Sequence, residues 1–296
     1  MGLREYLYIA LLSVLWGASF FFIKISLREI TPLTIVLVRV GFSAVILTAL
    51  VYASGNRMPS SPSIWGAFLV MGALNNMLPF SLIIWGQQHV DSSIASIINA
   101  TSPVFSVILA HFLTSEERMT PGRVTGVVLG LTGVTVLIGF DGLRGTGLRF
   151  LGQTAMLGAA LCYACAAIYG RRFRKLPPLV VASGVLSGAA VMMVPLVLLF
   201  EKPFDLHPGG VTVAALSGLT LLSTALAYVF YFRVLALTSP TNLLLVTFLI
   251  PVNAIFLGVV VLHESLEWNA LVGMVFIFAG LAVTDGRLFR KKTPAI

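Results

Sequence analysis

Residues 91–140 read DSSIASIINATSPVFSVILAHFLTSEERMTPGRVTGVVLGLTGVTVLIGF, two apolar runs joined by the charged turn Glu116-Glu117-Arg118. The same grammar returns half a chain later. Ser92 to Leu113 carries Pro103 in mid-run, and Thr241 to Leu262 carries Pro251, 148 positions on. Thirteen residues past each proline stands a glutamate, Glu116 and Glu264. Beyond each glutamate another apolar run holds two glycines seven apart, Gly126 with Gly133 and Gly273 with Gly280. Earlier positions repeat too: Trp16 maps to Tyr163 and Lys24 to Arg171, both at an offset of 147. The chain therefore reads as two copies of one unit, residues 1–142 and 148–296.

Composition sets the solvent. Of 296 residues 58% are hydrophobic and 10% charged, with a mean hydropathy of +0.99, against about 25% charged in a soluble domain. This is the composition of a membrane protein. The net charge of +8 does not point to nucleic acid, because the basic residues are neither on one face nor in one tail interleaved with aromatics. They sit between apolar runs, where they set membrane orientation. Cys162 and Cys165 spell CxxC without a second pair or a nearby histidine, so no metal is implied and no cofactor either. The first apolar run passes straight through its small-residue site Gly17-Ala18-Ser19 into Phe20-Phe21-Phe22 and reads as a retained span, not a cleaved signal.

A spanning helix needs about 20 apolar residues. Ten runs qualify: 6–27, 32–53, 63–87, 92–113, 121–140, 149–170, 177–200, 210–235, 240–262 and 269–286. With the N-terminus in the cytoplasm, thirteen Lys and Arg fall in cytoplasmic segments and five opposite, Arg39 inside a span completing the 19. Both termini are then cytoplasmic. Five spans per copy is odd, so the second copy enters from the other side. The expected fold is an all-α polytopic membrane protein of ten transmembrane helices in two inverted five-helix repeats, with a site near the midplane.

The Trp16-Gly17-Ala18-Ser19 run, Ser102-Pro103, and the Glu116 and Glu264 turns with their glycine-bearing helices resemble the EamA family of the drug/metabolite transporter superfamily. The resemblance covers both halves and looks most like the family's amino-acid exporters. It implies a ten-helix basket that exports amino acids across the bacterial inner membrane. Tyr163-Ala164 replaces Trp16-Gly17 in the second copy, so the symmetry is approximate.

Polar residues inside hydrocarbon face the bundle interior or a water-filled cavity. Ser92, Ser96, Asn99, Pro103 and Ser106 share one helical face, as do Ser217, Thr220, Thr224, Tyr228 and Tyr231. Asn75 and Asn76 have Ser223 and Thr224 as repeat partners. These stripes either line a shared cavity or hold helices together. The expected substrate-binding set is Trp16, Asn75, Asn76, Asn99, Tyr163, Ser223, Thr224 and Tyr228, with Pro103 and Pro251 as hinges. Thr247, Asn242 and Asn253 on span nine, and Thr154 on span six, are further polar positions. Arg39 is the one charge well inside a span, and either meets a substrate carboxylate or snorkels. His111 is a proton carrier or a helix-end histidine.

All eleven acidic residues fall at span ends or in loops. That disfavours a dedicated cation exporter and a proton relay, and one arginine is too little for a nucleotide sugar. A small zwitterionic or neutral metabolite fits, so the expected partners are a small-molecule substrate and the lipid bilayer, with oligomeric state open. Exporters of drugs or other metabolites are the alternative substrate class. An intramembrane enzyme lacks its inventory, with no HExxH and no paired carboxylates, and a non-transporting scaffold lacks a soluble appendage.

Overall fold

A computed structural model describes residues 3–113, 119–144, 147–237 and 240–285, with side chains at 140–144, 232, 235, 236, 240–244 and 285 left aside. The Glu116-Glu117-Arg118 turn, the side chain of Asn242 and the basic residues Arg287, Arg290, Lys291 and Lys292 lie outside these described residues.

Among them, eight helices are long and apolar enough to cross a membrane. They are α1 (Leu3–Ser26), α2 (Pro32–Ala53), α3 (Pro62–Gly86), α4 (Ser92–Leu113), α5 (Pro121–Gly139), α6 (Leu148–Phe173), α7 (Pro178–Phe200) and α8 (Gly210–Tyr231). Two further helices, α9 (Pro240–Val260) and α10 (Trp268–Asp285), have shorter apolar stretches, Leu245–Val260 and Trp268–Thr284. The span boundaries follow the sequence because proline sits at the first helical turn of α2, α3 and α7, where its missing N–H costs nothing. Large apolar side chains such as Phe42, Val191, Leu199 and Phe256 are exposed on the outside, as a lipid-facing surface requires.

Packing is organised by close backbone approach. In α5 and α10 a Cβ on Gly126 would stand 2.5 Å from Gly280 O, and one on Gly273 2.7 Å from Gly133 O. The two glycine pairs seen in the sequence thus meet each other inside one chain. On α7, Gly184 and Gly188 receive Phe68 of α3, and on α1, Gly17 receives Asn253 and the Ile250 carbonyl of α9. The principal partners are α5 with α10, α2 with α7 and α8, α3 with α7, α1 with α8 and α9, and α6 with α3 and α4. Replacing each helix by the one five places further on reproduces the same set of pairs.

One face of the bundle is fastened by carboxylates that reach from one half of the chain to a helix start in the other. Glu201 accepts Leu33 N–H at 2.9 Å and Thr34 N–H at 2.7 Å, and also the Thr31 and Thr34 hydroxyls. Glu264 accepts Ser92 N–H (2.8 Å), Ser93 N–H (3.0 Å) and Ser93 Oγ–H (2.7 Å). Glu29 accepts Gly209 N–H at 2.7 Å, just ahead of α8. Each satisfies N–H groups that the first helical turn leaves open, with its charge at the positive end of the helix dipole. Glu264 is aimed by the turn that ends α9. His263 adopts a left-handed conformation (φ 57°) and Glu264 N–H folds back to Gly258 O at 3.0 Å. A Cβ on Gly258 would lie 2.5 Å from Glu264 Oε2, so only glycine leaves the carboxylate room. Beside it, Lys24 Nζ donates to Gln87 O and Val90 O, both at 3.0 Å, and lies 3.9 Å from Asp91. A recess of about 380 Å³ on this face is rimmed by Lys24, Arg28, Asp91, His263 and Glu264. It lies away from the buried polar cluster described below.

Two outcomes follow from this packing. Gly126→Ala should destabilise the detergent-solubilised protein by about 1–3 kcal/mol, while Gly122→Ala, whose nearest atom is at 3.9 Å, should be close to neutral. Thermal unfolding midpoints of the two variants check the contrast. The second concerns acid. Burial pushes Glu264 up, but the Ser93 and Ser92 hydrogen bonds outweigh it and hold the carboxyl below its ordinary value. A depressed carboxyl contributes stability above its unfolded value near 4.3 and loses it as pH falls through the folded value. Asp91 is raised by burial and by the Glu264 charge, against Lys24 and Arg149, so its cost is relieved on acidification. Glu264→Gln should therefore lower stability at pH 7 by about 1 kcal/mol. It should also flatten the loss on going from pH 5 to below pH 4, read from unfolding midpoints across that range.

Candidate functional site

The chain places a π-turn at corresponding positions of its two halves, Ala73–Met77 in α3 and Leu221–Leu226 in α8. A π-turn takes one residue more than the regular helix and leaves a backbone carbonyl without its usual partner. In α8 two hydroxyls fill the gap. Thr224 Oγ1 donates to Leu219 O at 2.9 Å, and Ser43 Oγ of α2 donates to Thr220 O at 3.0 Å.

The same Thr224 oxygen accepts Arg39 Nε–H at 2.9 Å. Arg39 is the one charged side chain that is buried among the described residues, 6% exposed. Its guanidinium lies over the Phe80 ring, 3.7 Å from the centroid. A desolvated cation on an aromatic face gains about 2 kcal/mol, less than the several kcal/mol that taking the charge out of water costs. From the α3 turn, Asn75 Nδ2 and Asn76 Nδ2 both donate to the Tyr228 hydroxyl, at 3.2 and 3.3 Å, and Asn75 Nδ2 reaches Asn76 Oδ1 at 3.4 Å. Tyr163 and Tyr228 both lie within electrostatic range of Arg39. Helices from both halves thus meet through polar side chains at buried depth.

Of the residues expected from the sequence, Arg39, Asn75, Asn76, Thr224 and Tyr228 are joined in this cluster, with Tyr163 beside it. Trp16 packs elsewhere, against Tyr231 at 5.7 Å, in a satellite core with Ile9, Leu12 and Leu15. Ser223 Oγ and Asn99 Oδ1 are sealed from solvent with no hydrogen-bond partner. Much of the two stripes is satisfied locally. Ser96 bonds Ser93 O, Ser106 bonds Ser102 O, Thr220 bonds Leu216 O and Thr154 bonds Phe150 O, the back-bonding that hydroxyls make inside helices. Asn253 Nδ2 ties α9 to Ser13 Oγ of α1 at 3.2 Å. His111 Nδ1 accepts Met119 N–H at 3.3 Å, a helix-end arrangement.

The two prolines expected as hinges differ. Pro103 follows a break in α4 at residues 100–101, where Thr101 and Ser102 hydroxyls cap Ile98 O and Asn99 O at 2.6 and 2.7 Å. Pro251 sits in an unbroken helix, preceded by Leu249 and Ile250, which have no hydroxyl to offer. Phe80, Ser43 and the π-turns themselves are the parts of the site that sequence reading missed. Ser43 was within reach of it, being one helical turn after Arg39 on the same face.

Eight apolar helices of membrane-spanning length packed around a buried polar cluster define a polytopic membrane protein. The model of the EamA-like transporter family matches residues 3–139 and 150–284, and the chain belongs to that family. It is 25% identical over 281 residues to the uncharacterized transporter YoaV of Bacillus subtilis, covering 95% of this chain and 96% of that one. It is 26% identical over 290 residues to the uncharacterized inner membrane transporter YedA of Escherichia coli, covering 96% and 92%. A protein of Escherichia coli named a probable amino-acid metabolite efflux pump is 25% identical over 291 residues, 92% of each chain. A solved crystal structure superposes with a TM-score of 0.69 at 20% identity, covering 95% of this chain and 97% of that one, a likeness of fold. The protein is a multi-pass membrane transporter, and a transporter family points away from an enzyme.

Neighbouring residues of the α8 π-turn separate structural from idle hydroxyls. Thr224→Val removes the acceptor of Arg39 and the donor to Leu219 O, and should destabilise by about 1–2 kcal/mol. Ser223→Ala removes an unpartnered oxygen and should be neutral or slightly stabilising. Unfolding midpoints of both variants in one detergent check this.

Proposed function

We propose that the protein is a bacterial inner-membrane exporter of amino acids or similar small zwitterionic or neutral metabolites, working by alternating access. In this reading ten helices form two inverted five-helix repeats, residues 1–142 and 148–296, with both termini in the cytoplasm. The observation that carries the reading is the meeting of Arg39, Asn75 and Asn76 with Thr224 and Tyr228 across the two halves, at a pair of corresponding π-turns. π-turns recur at functional sites, and inverted-repeat transporters place substrate at the repeat interface near the midplane. The helix pairing, unchanged when each helix is replaced by its counterpart, supports the two-fold relation. The relative named a probable amino-acid metabolite efflux pump supports the substrate class.

Substrate would contact Asn75, Asn76, Tyr163, Thr224 and Tyr228, with Arg39 facing its carboxylate. Trp16, Asn99 and Ser223 would join only in another conformation, as α4 and α9 flex at Pro103 and Pro251. The break before Pro103 supports flexing in α4.

Uptake of radiolabelled amino acids into proteoliposomes, with and without an imposed proton gradient, tests the proposal. Uptake is expected in both conditions, because no buried carboxylate among the described residues offers a proton site. Asn76→Ala, Tyr163→Ala and Thr224→Ala should each reduce it about tenfold or more. Three folded variants with unchanged uptake would remove the site assignment. Movement of other metabolites or drugs without amino acids would shift the substrate class.

A further inference from the structure

Arg39 carries more hydrogen-bonding capacity than the chain uses. A guanidinium has five N–H donors and cannot be deprotonated in a protein. Only Nε–H is engaged, by Thr224 Oγ1 at 2.9 Å. Nη1 and Nη2 make no hydrogen bond to any described residue. The sealed polar atoms without a partner are Ser26 Oγ, Gln87 Oε1, Ser92 Oγ, Asn99 Oδ1 and Ser223 Oγ. The guanidinium nitrogens are not among them, so each Nη keeps a small accessible surface although the residue is 6% exposed. The anchoring of Nε on α8 and the seat on Phe80 hold the group inward, which excludes a snorkelled arginine.

Among the described residues no carboxylate neutralises this charge. Every acidic residue lies at a span end or in a loop, and the carboxylates Glu29, Glu201 and Glu264 are engaged at helix starts on one face. The groups around Arg39 are neutral: the Asn75 and Asn76 amides and the Tyr163 and Tyr228 phenols. The matching stretch of α7, Val185-Leu186-Ser187, has no cation, so the positive charge is single and unpaired.

We infer that the two free edges of the Arg39 guanidinium are a carboxylate subsite, and that the site selects monocarboxylates by this charge without requiring an amine. The inference rests on the reading of this cluster as the substrate site. The planar fork matches a carboxylate with two parallel N–H···O bonds, and the substrate's own charge then completes a pair that the protein leaves open. No carboxylate among the described residues stands near to receive an ammonium group, so an amino acid and its amine-free 2-oxo counterpart are held alike. An amide, which keeps the amine and loses the negative charge, leaves the buried cation uncompensated.

The test uses leucine, 4-methyl-2-oxopentanoate and leucinamide with the full chain, at neutral pH. Ligand-induced thermal shifts in detergent measure binding, and competition and counterflow in proteoliposomes measure movement. Both acids are expected to bind within a few-fold of each other, and leucinamide about ten- to a hundredfold more weakly. Arg39→Gln should remove the preference for acids, and Arg39→Lys should restore part of it, keeping the charge without the fork. Wild-type protein alone decides the comparison if a variant does not fold. Leucinamide binding as well as the acids, leucine binding far better than its oxo acid, or no binding of either acid would overturn the inference. Acid-selective binding without movement into liposomes would uphold the subsite and overturn the transport reading instead. Movement of all three solutes at equal affinity would do the reverse.

Discussion

In hydrocarbon a backbone N–H or C=O has no water to fall back on, and this constraint explains most departures from regular helix in the structure. At several of these points a hydroxyl or a carboxylate takes the vacated place. Thr224 and Ser43 do so at the α8 π-turn, Thr101 and Ser102 before Pro103, and Glu29, Glu201 and Glu264 at the helix starts. The irregular points are therefore tied down on one side and available on the other. Thr224 makes this plain: while repairing its own helix, its oxygen also holds the arginine of α2. Structural repair and site construction use one atom.

Much of this was legible in the sequence. Length and apolar runs marked the helices to within a few residues, since lipid thickness fixes their length and proline fixes their starts. The repeated glycines seven apart marked the duplication, while their meeting across α5 and α10 is a finding of the structure, since only glycine lets two backbones approach to that distance. Asn75 and Asn76 and their repeat partners marked the π-turns by position but not by geometry. Nothing in the string Ala73-Leu74-Asn75-Asn76-Met77 forces an extra residue into a turn; the packing of neighbouring helices selects it. The polar stripes misled in part because periodicity tells which face a hydroxyl is on, not whether its hydrogen bond goes outward or back to its own carbonyl. The unequal behaviour of Pro103 and Pro251 could have been read from the preceding residues, Thr101-Ser102 against Leu249-Ile250.

The two halves share a scaffold and differ in chemistry. Pairings of helices repeat, the π-turns repeat, and the proline positions repeat. The charged group does not: α2 carries Arg39 and α7 has only Val185, Leu186 and Ser187 at the matching place. Duplication supplies a symmetric frame, and divergence within it makes the buried cluster lopsided, with a cation on α2 and amides and a phenol on α3 and α8. The fastened face adds another asymmetry, since Glu29, Glu201 and Glu264 all act at one end of the bundle.

The glycine contact between α5 and α10 also bears on how such a chain comes to be built. Gly126 and Gly133 are synthesised well before Gly273 and Gly280 exist. Until then the backbone groove of α5 lacks the helix that fills it, and α2 lacks α7. Helices enter the membrane one at a time, but the fold is closed by contacts of very long sequence separation, which form late and slowly. The first half on its own therefore leaves the glycine groove of α5 and the Arg39, Asn75 and Asn76 side chains without the second-half groups that meet them in the fold.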